Sequence, residues 1–478
     1  MNYTSIQSTG LAALPPWRSR LLFILLLSGL FLLFARAVYL QCIHNVFLQQ
    51  KGDARYGRII GVSAHRGMIS DRHGEPLAIS TPVESVWANP QEVVVTSQQV
   101  KRLTQILDMN LEEVENRLSD TARDFVYLKR QLPPEQAEQV VKLGIAGVSL
   151  QREYRRYYPD GEVTAHLLGF TNVDDNGQEG MELALQQRVG GEEGSQRVIK
   201  DRRGNVVEDV ASVRLPKPGS DVMLSIDNKL QYLAYRELKQ AVEQYHANSG
   251  SIVVLDAKTG EVLALSNWPS YNPNNRGKPS TEMLRNRAVT DQFEPGSTMK
   301  PFTVAAALEA GKVKPGTLIN TAGGTLTIGG YTIHDTHPDA MLTVAQVIQK
   351  SSNVGAVKMA LSLSPEILWR NLNEGGFGEL TGSGFPGEAP GKVRDYKTWR
   401  PIEQATISYG NGISVNLLQL ARAYTVFAND GELLPVSLMK QEVPPAGKKL
   451  YSAKTAREVR DMLELVVQPG GTAPLAQI

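Results

Sequence analysis

A single cysteine, Cys42, serves a chain of 478 residues. One thiol cannot close an internal disulfide framework, and a cysteine-rich metal site is excluded with it. Net charge is also in short supply: 50 Lys+Arg against 49 Asp+Glu leave a formal +1. That balance gives no sign of a polyanionic partner, so nucleic acid is not indicated. The arginine pairs Arg155-Arg156 and Arg202-Arg203 accordingly read as solvated faces. No internal repeat is evident.

One long apolar run does stand out, from Leu21 to Leu40, just after Trp17-Arg18-Ser19-Arg20. Its length matches the ~20 residues that a membrane-spanning helix needs. Ala35-Arg36-Ala37 has the small-x-small form of a signal cleavage site. The length of the run, and Arg36 placed to snorkel towards the far headgroups, favour an uncleaved anchor over 18–40. Tyr39-Leu40-Gln41 lacks the small residue expected before a lipidated cysteine, so Cys42 reads as an ordinary membrane-proximal residue. Arg18 and Arg20 face Arg36, Lys51 and Arg55 across the run. The simpler topology keeps a cytoplasmic tail of residues 1–17 inside and exports the remainder, because long domains translocate largely regardless of charge.

The remainder is ordinary globular sequence, 42% hydrophobic and 21% charged, with length for two or three domains. Arg66 to Ala78 reads as strand, turn, strand, and helical patterns run between Ser97 and Leu143. A basic, aromatic segment, Arg152-Glu153-Tyr154-Arg155-Arg156-Tyr157-Tyr158-Pro159, follows. The character changes at Val222. Leu224 to Asp227 reads as a strand ending in a helix cap, and Leu230, Leu233, Ala234, Leu238, Ala241, Val242 and Tyr245 form the apolar face of a helix that stops at Asn248-Ser249-Gly250. A hairpin then pairs Ser251–Leu255 with Glu261–Leu265. The boundary falls near Pro216-Lys217-Pro218-Gly219, dividing the chain into 41–215 and 216–478 in an α+β, multidomain fold.

Chemistry concentrates in two short strings. In Ser297-Thr298-Met299-Lys300, residues three apart share a helix face, so the Lys300 amine can reach the Ser297 hydroxyl and activate it. A helix start there also offers free N–H groups to an oxygen anion. Ser-x-x-K is by itself a common string. About fifty residues on, Thr343 to Lys350 reads as a short helix broken by Ser351-Ser352-Asn353, which taken alone is an ordinary helix link. Its hydroxyl could relay a proton and its amide could hold a substrate carbonyl. His334-Asp335-Thr336-His337 reads as a loop with two solvated histidines rather than a metal site.

Ser-x-x-Lys followed by Ser-x-Asn is the motif order of the penicillin-recognising serine enzymes. The chain resembles class B penicillin-binding proteins over nearly its whole length. The resemblance is carried by Arg66-Gly67-x-Ile69-x-Asp71-Arg72-x-Gly74, Gly180-Met181-Glu182, Asp201-Arg202-Arg203-Gly204, Tyr271-Asn272-Pro273-Asn274-Asn275, Arg285-Asn286-Arg287-Ala288 and Gly382 to Glu388. Pro159 to Phe170 and Phe377 to Glu388 are most similar to the division-specific members. The resemblance implies a dimerisation or pedestal domain over 41–215. Over 216–478 it implies a transpeptidase domain with a central antiparallel sheet flanked by helices. It further implies a D,D-transpeptidase that cross-links peptidoglycan stem peptides ending in D-Ala-D-Ala. Ser297 would be its nucleophile, Lys300 its base, Ser351 its proton shuttle and Asn353 its substrate-carbonyl ligand. No metal or organic cofactor is required. Implied partners are β-lactams, the inner membrane, the septal lipid-linked glycan polymerase and other division proteins.

The family pattern also has a Lys-[Ser/Thr]-Gly strand after the Ser-x-Asn turn, and these 478 residues do not show one. Lys258-Thr259-Gly260 precedes Ser297 and occupies a hairpin turn, whereas Lys454-Thr455-Ala456 lacks the glycine. The expectation is therefore a C-terminally truncated copy, lacking its last strands, poorly folded in its second domain and impaired in activity. Two rival readings are a penicillin-recognising hydrolase, against which stands the lack of a Glu-x-x-Leu-Asn segment, and a non-catalytic division scaffold.

Overall fold

A computed structural model describes residues 16–43, 57–200, 206–277 and 280–477. Most of the expected cytoplasmic tail, Lys51, Arg55 and the Asp201–Gly204 motif lie outside the described residues. The apolar run forms one exposed helix, Pro16–Val38, and an 18-residue stretch within the span Pro16–Cys42 has a mean hydropathy of 2.5, so the helix is long and apolar enough to cross a membrane.

Eight strands build the region that follows: β1 (Gly57–Val62), β2 (Ile69–Ser70), β3 (Pro76–Ala88), β4 (Val126–Leu132), β5 (Val148–Tyr157), β6 (Gly194–Lys200), β7 (Val206–Arg214) and β8 (Val222–Met223). One sheet runs β4-β3-β2-β8 with β5 also paired to β3, and β1-β6-β7 form a second, antiparallel one. Helices Ser97–Leu107, Leu111–Ser119 and Pro134–Val141 cover the first sheet through a core of Val86, Leu103, Val114, Leu128 and Val140. The helical patterns expected from Ser97 to Leu143 are thus interrupted by β4. Leu128 and Leu132, on one side of that strand, are buried, a period-2 signal too short to register beside the flanking helices.

The family motifs in this region are scaffolding. Asp71 Oδ1 accepts the amides of His73 and Glu75 and so ties the β2–β3 turn. Glu182 receives Arg66 at 2.7 Å and Arg156 at 2.6 Å, all three side chains being essentially inaccessible to solvent. Arg156, expected on a solvated face, is therefore buried; only Arg155 of that pair is exposed. Alternation along β5 turns one arginine in and its neighbour out.

Asp227 caps the helix Asn228–Gln244 by accepting from the amides of Lys229 and Leu230. The expected apolar face is rotated. Leu230, Leu233 and Tyr245 are exposed, while Gln231 is buried. Its amide pairs with the β-strand backbone, donating to Leu265 O and accepting from Leu265 N. The helix also ends earlier than Asn248, because His246 adopts a left-handed φ of 52°.

The hairpin forms as expected, β9 (Gly250–Leu255) against β10 (Val262–Trp268). Lys258-Thr259-Gly260 lies in its turn, where Asp256 Oδ1 accepts from the amides of Lys258 and Thr259. Among the described residues β9 has no second strand neighbour, and all six of its residues are half-buried. A core of Ile69, Leu77, Leu167 and Leu168 from the first region continues without a break into Val262, Leu265, Val289 and Leu418 of the second.

A helical lobe completes the chain. Its core unites Phe302, Val347, Leu372, Phe377, Phe427 and Val459. The helix Lys300–Glu309 runs through it, with eight of its ten residues buried. Ala305, Ala306 and Ala307 let neighbours approach closely, and Phe302 meets Phe377 edge to face with centroids 5.0 Å apart. Four short strands border this lobe: β11 (Leu318–Asn320), β12 (Thr325–Ile328), β13 (Tyr331–His334) and β14 (Met341–Thr343), paired β11–β14 and β12–β13.

Candidate active site

Ser297 sits on a 3-10 turn, Gly296–Met299, that runs directly into the helix Lys300–Glu309. Three contacts fix the turn. Gly296 N donates to Gly410 O at 3.2 Å. Tyr424 donates its hydroxyl to Thr298 O at 2.8 Å, and Thr298 donates its own to Pro295 O at 2.7 Å. Gly410 has a φ of 86°, and a Cβ there would collide with the backbone of Gly296, so glycine is required on both counts.

Lys300 lies one turn on and is only 2% exposed. Its Nζ donates to Ser297 Oγ at 3.0 Å, to Ser351 Oγ at 2.9 Å and to Ser351 O at 2.6 Å. Burial lowers the pKa of this amine to about 8, an effect partly opposed by the negative charge of Asp335.

The Ser-x-Asn turn is shaped from both sides. Thr343 and Gln346 form a capping box that starts the helix Val344–Gln349. The backbone then reverses through Ser351, whose φ of 56° is left-handed for a non-glycine residue. Ser352 caps the next helix, Asn353–Leu361, by accepting from Gly355 N at 2.9 Å. Asp335, 8% exposed, accepts from Ser352 Oγ at 2.6 Å and from Val354 N at 2.9 Å. Asn353 Nδ2 donates to His334 O at 2.8 Å. The turn is thus clamped to the end of β13.

The fold brings Ser297, Lys300 and Ser351 into direct contact and places Asn353 on the same turn, one helix start away. Asp335 is the residue that sequence reasoning missed. It sits between two histidines in a loop, and a carboxylate that caps a distant turn leaves no periodic or spacing signal in the chain. Among the described residues no cluster of three His, Cys, Asp or Glu side chains could hold a metal ion.

Residues 250–477 match the penicillin-binding protein transpeptidase domain, and residues 61–224 match the penicillin-binding protein dimerisation domain. The probable peptidoglycan D,D-transpeptidase PenA of Neisseria gonorrhoeae is 45% identical over 444 residues, 92% of this chain and 76% of the relative. The peptidoglycan D,D-transpeptidase FtsI of Escherichia coli (strain K12) is 42% identical over 468 residues, 97% of this chain and 79% of the relative. The chain belongs to the penicillin-binding D,D-transpeptidases. Among solved structures, a peptidoglycan synthetase from Bifidobacterium adolescentis superposes with a TM-score of 0.68 at 25% identity, covering 86% of this chain and 82% of that one. The transpeptidase domain of Burkholderia pseudomallei penicillin-binding protein 3 is 50% identical with a TM-score of 0.50, covering 53% of this chain and 73% of that one.

As a penicillin-binding D,D-transpeptidase the chain carries further family strings that brace its fold. Asn286 accepts from Asn267 Nδ2 at 2.9 Å, joining its segment to β10. Glu388 folds the glycine-rich loop by accepting from Thr381 N and Ser383 Oγ, both at 2.7 Å.

Proposed function

We propose that this transpeptidase cross-links peptidoglycan stem peptides through an acyl-enzyme on Ser297. The supporting observation is the Lys300 amine, buried, lowered to about 8, and within 3.0 Å of Ser297 Oγ. In its neutral form Lys300 takes the Ser297 proton as Oγ attacks the carbonyl of the D-Ala-D-Ala peptide bond. Ser351, bonded to the same amine, passes a proton to the departing D-alanine amine. The Asn353 amide orients the substrate carbonyl, and the Ser297 N–H stabilises the oxyanion. The side-chain amine of a neighbouring stem then takes the acyl group and frees Ser297. β-Lactams present a reactive amide in place of the stem terminus and acylate the same oxygen. The reading assigns 18–40 as a single-pass anchor, 41–215 as a pedestal and 216–478 as the catalytic region, periplasmic and active at the division septum beside the septal glycan polymerase.

Labelling with a fluorescent penicillin, followed by peptide mapping, tests the nucleophile. Label taken up by the chain should map to the peptide containing Ser297 and vanish in Ser297→Ala; label that persists in Ser297→Ala overturns the assignment.

A further inference from the structure

Two strings of the sequence have no part in the site above, the basic segment around Arg155-Arg156 and the family string Tyr271 to Asn275. They meet in space. Asn274 Nδ2 donates to Tyr158 O at 2.8 Å and its Oδ1 accepts from Tyr158 N at 3.0 Å, so one side chain clamps the end of β5. Beside this clamp opens a cleft of about 530 Å³, walled by β5 on one side and by the segment through Arg276 on the other.

We propose that this cleft binds an oxyanion, a carboxylate or phosphate group, at the seam between the two regions. Three arginines, Arg155, Arg156 and Arg276, are among its lining residues, and no acidic residue is. Arg156 is the decisive one. Its Nε bonds Glu182, and its Nη1 bonds Gly67 O and Ser80 Oγ. Its Nη2 is buried and has no hydrogen-bond partner among the described residues. A guanidinium N–H held out of water without an acceptor is costly, and a bound oxyanion removes that cost.

The other two arginines are also available. Among the described residues Arg155 Nη2 reaches only the carbonyl of Asn274, at 3.3 Å, and Arg276 lies over the Phe170 ring at 3.7 Å. Neither makes an ion pair among the described residues. Glu182 is shared between Arg156 and Arg66, and Asp175, which does not line the cleft, has its carboxyl pushed up to about 6 by burial against the pull of Arg66 and Arg156. Guanidinium forks match the paired oxygens of carboxylates and phosphates. The volume admits a group larger than a simple halide. Given the cell-wall chemistry of the family, such an oxyanion has two sources, a stem-peptide carboxylate of the polymer or the pyrophosphate of a lipid-linked precursor.

The test titrates the full chain, in non-ionic detergent at constant ionic strength, with sodium pyrophosphate and separately with a disaccharide–pentapeptide, by calorimetry. Arg276→Gln and Arg155→Gln, both away from the Arg66–Glu182–Arg156 network, should each weaken binding about tenfold or more. Unchanged thermal unfolding shows that the variants fold, and unchanged penicillin labelling of Ser297 separates this result from the fate of the catalytic proposal. Binding of pyrophosphate alone assigns the phosphate source, binding of the glycopeptide alone assigns the carboxylate source, and binding of both supports the shared chemistry. Absence of binding by either ligand at millimolar concentration, or equal binding by both variants and the parent chain, overturns the proposal.

Discussion

At neutral pH most Lys300 amines still carry their proton, since burial brings the pKa only to about 8. The reactive, neutral fraction therefore grows by about tenfold per pH unit below that value and levels off above it. Penicillin labelling rates measured from pH 6 to 10 should rise to a plateau with a midpoint near 8; a flat profile would remove Lys300 from the role of base. Asp335 holds that midpoint up. Asp335→Asn should shift it to lower pH while slowing labelling at the plateau, because the Ser352 and Val354 bonds that fix the turn are weakened. Stability carries the same linkage. The unfolded lysine, near 10.5, binds its proton more tightly than the folded one, so stability rises with pH between about 8 and 10.5. The contact of Lys300 with Ser297 and the approach of the Ser351–Asn353 turn were legible in the sequence, because helical spacing and motif order are local properties of the chain. Asp335 and the burial of Arg156 were not. Each depends on a partner distant in sequence, Asp335 on Ser352 and Arg156 on Glu182.

Among the elements, the turn that carries Ser297 tolerates little change. Gly410 lies against Gly296 with a φ that favours glycine. Gly410→Ala should cost about 1–3 kcal/mol in thermal or denaturant unfolding and slow penicillin labelling, although residue 410 bears no reactive group. Normal labelling and stability in that variant would show that the turn is free to shift. The hairpin of β9 and β10 and the cap at Asp227 were readable from alternation and from a capping residue. The face of the helix Asn228–Gln244 was not, because the burial of Gln231 is decided by the backbone of Leu265, which accepts and donates in a register that helical periodicity does not contain.

For the whole molecule, the Arg66–Glu182–Arg156 network is the largest concentration of buried charge described. Glu182→Gln leaves two guanidinium groups without their shared counter-charge and should destabilise the first region by about 3–5 kcal/mol, measurable as a lowered unfolding midpoint; an unchanged midpoint would mean that water or rearranged side chains replace the carboxylate. Domain order was legible from composition and motifs, but the depth of contact between the regions was not, since strings hundreds of residues apart complete one another. Their apolar core is continuous from Ile69 and Leu167 to Val262 and Leu418. Close-packed interiors have low compressibility and transmit strain. A load applied to the first region therefore reaches β10 through packed side chains instead of being absorbed at a loose joint.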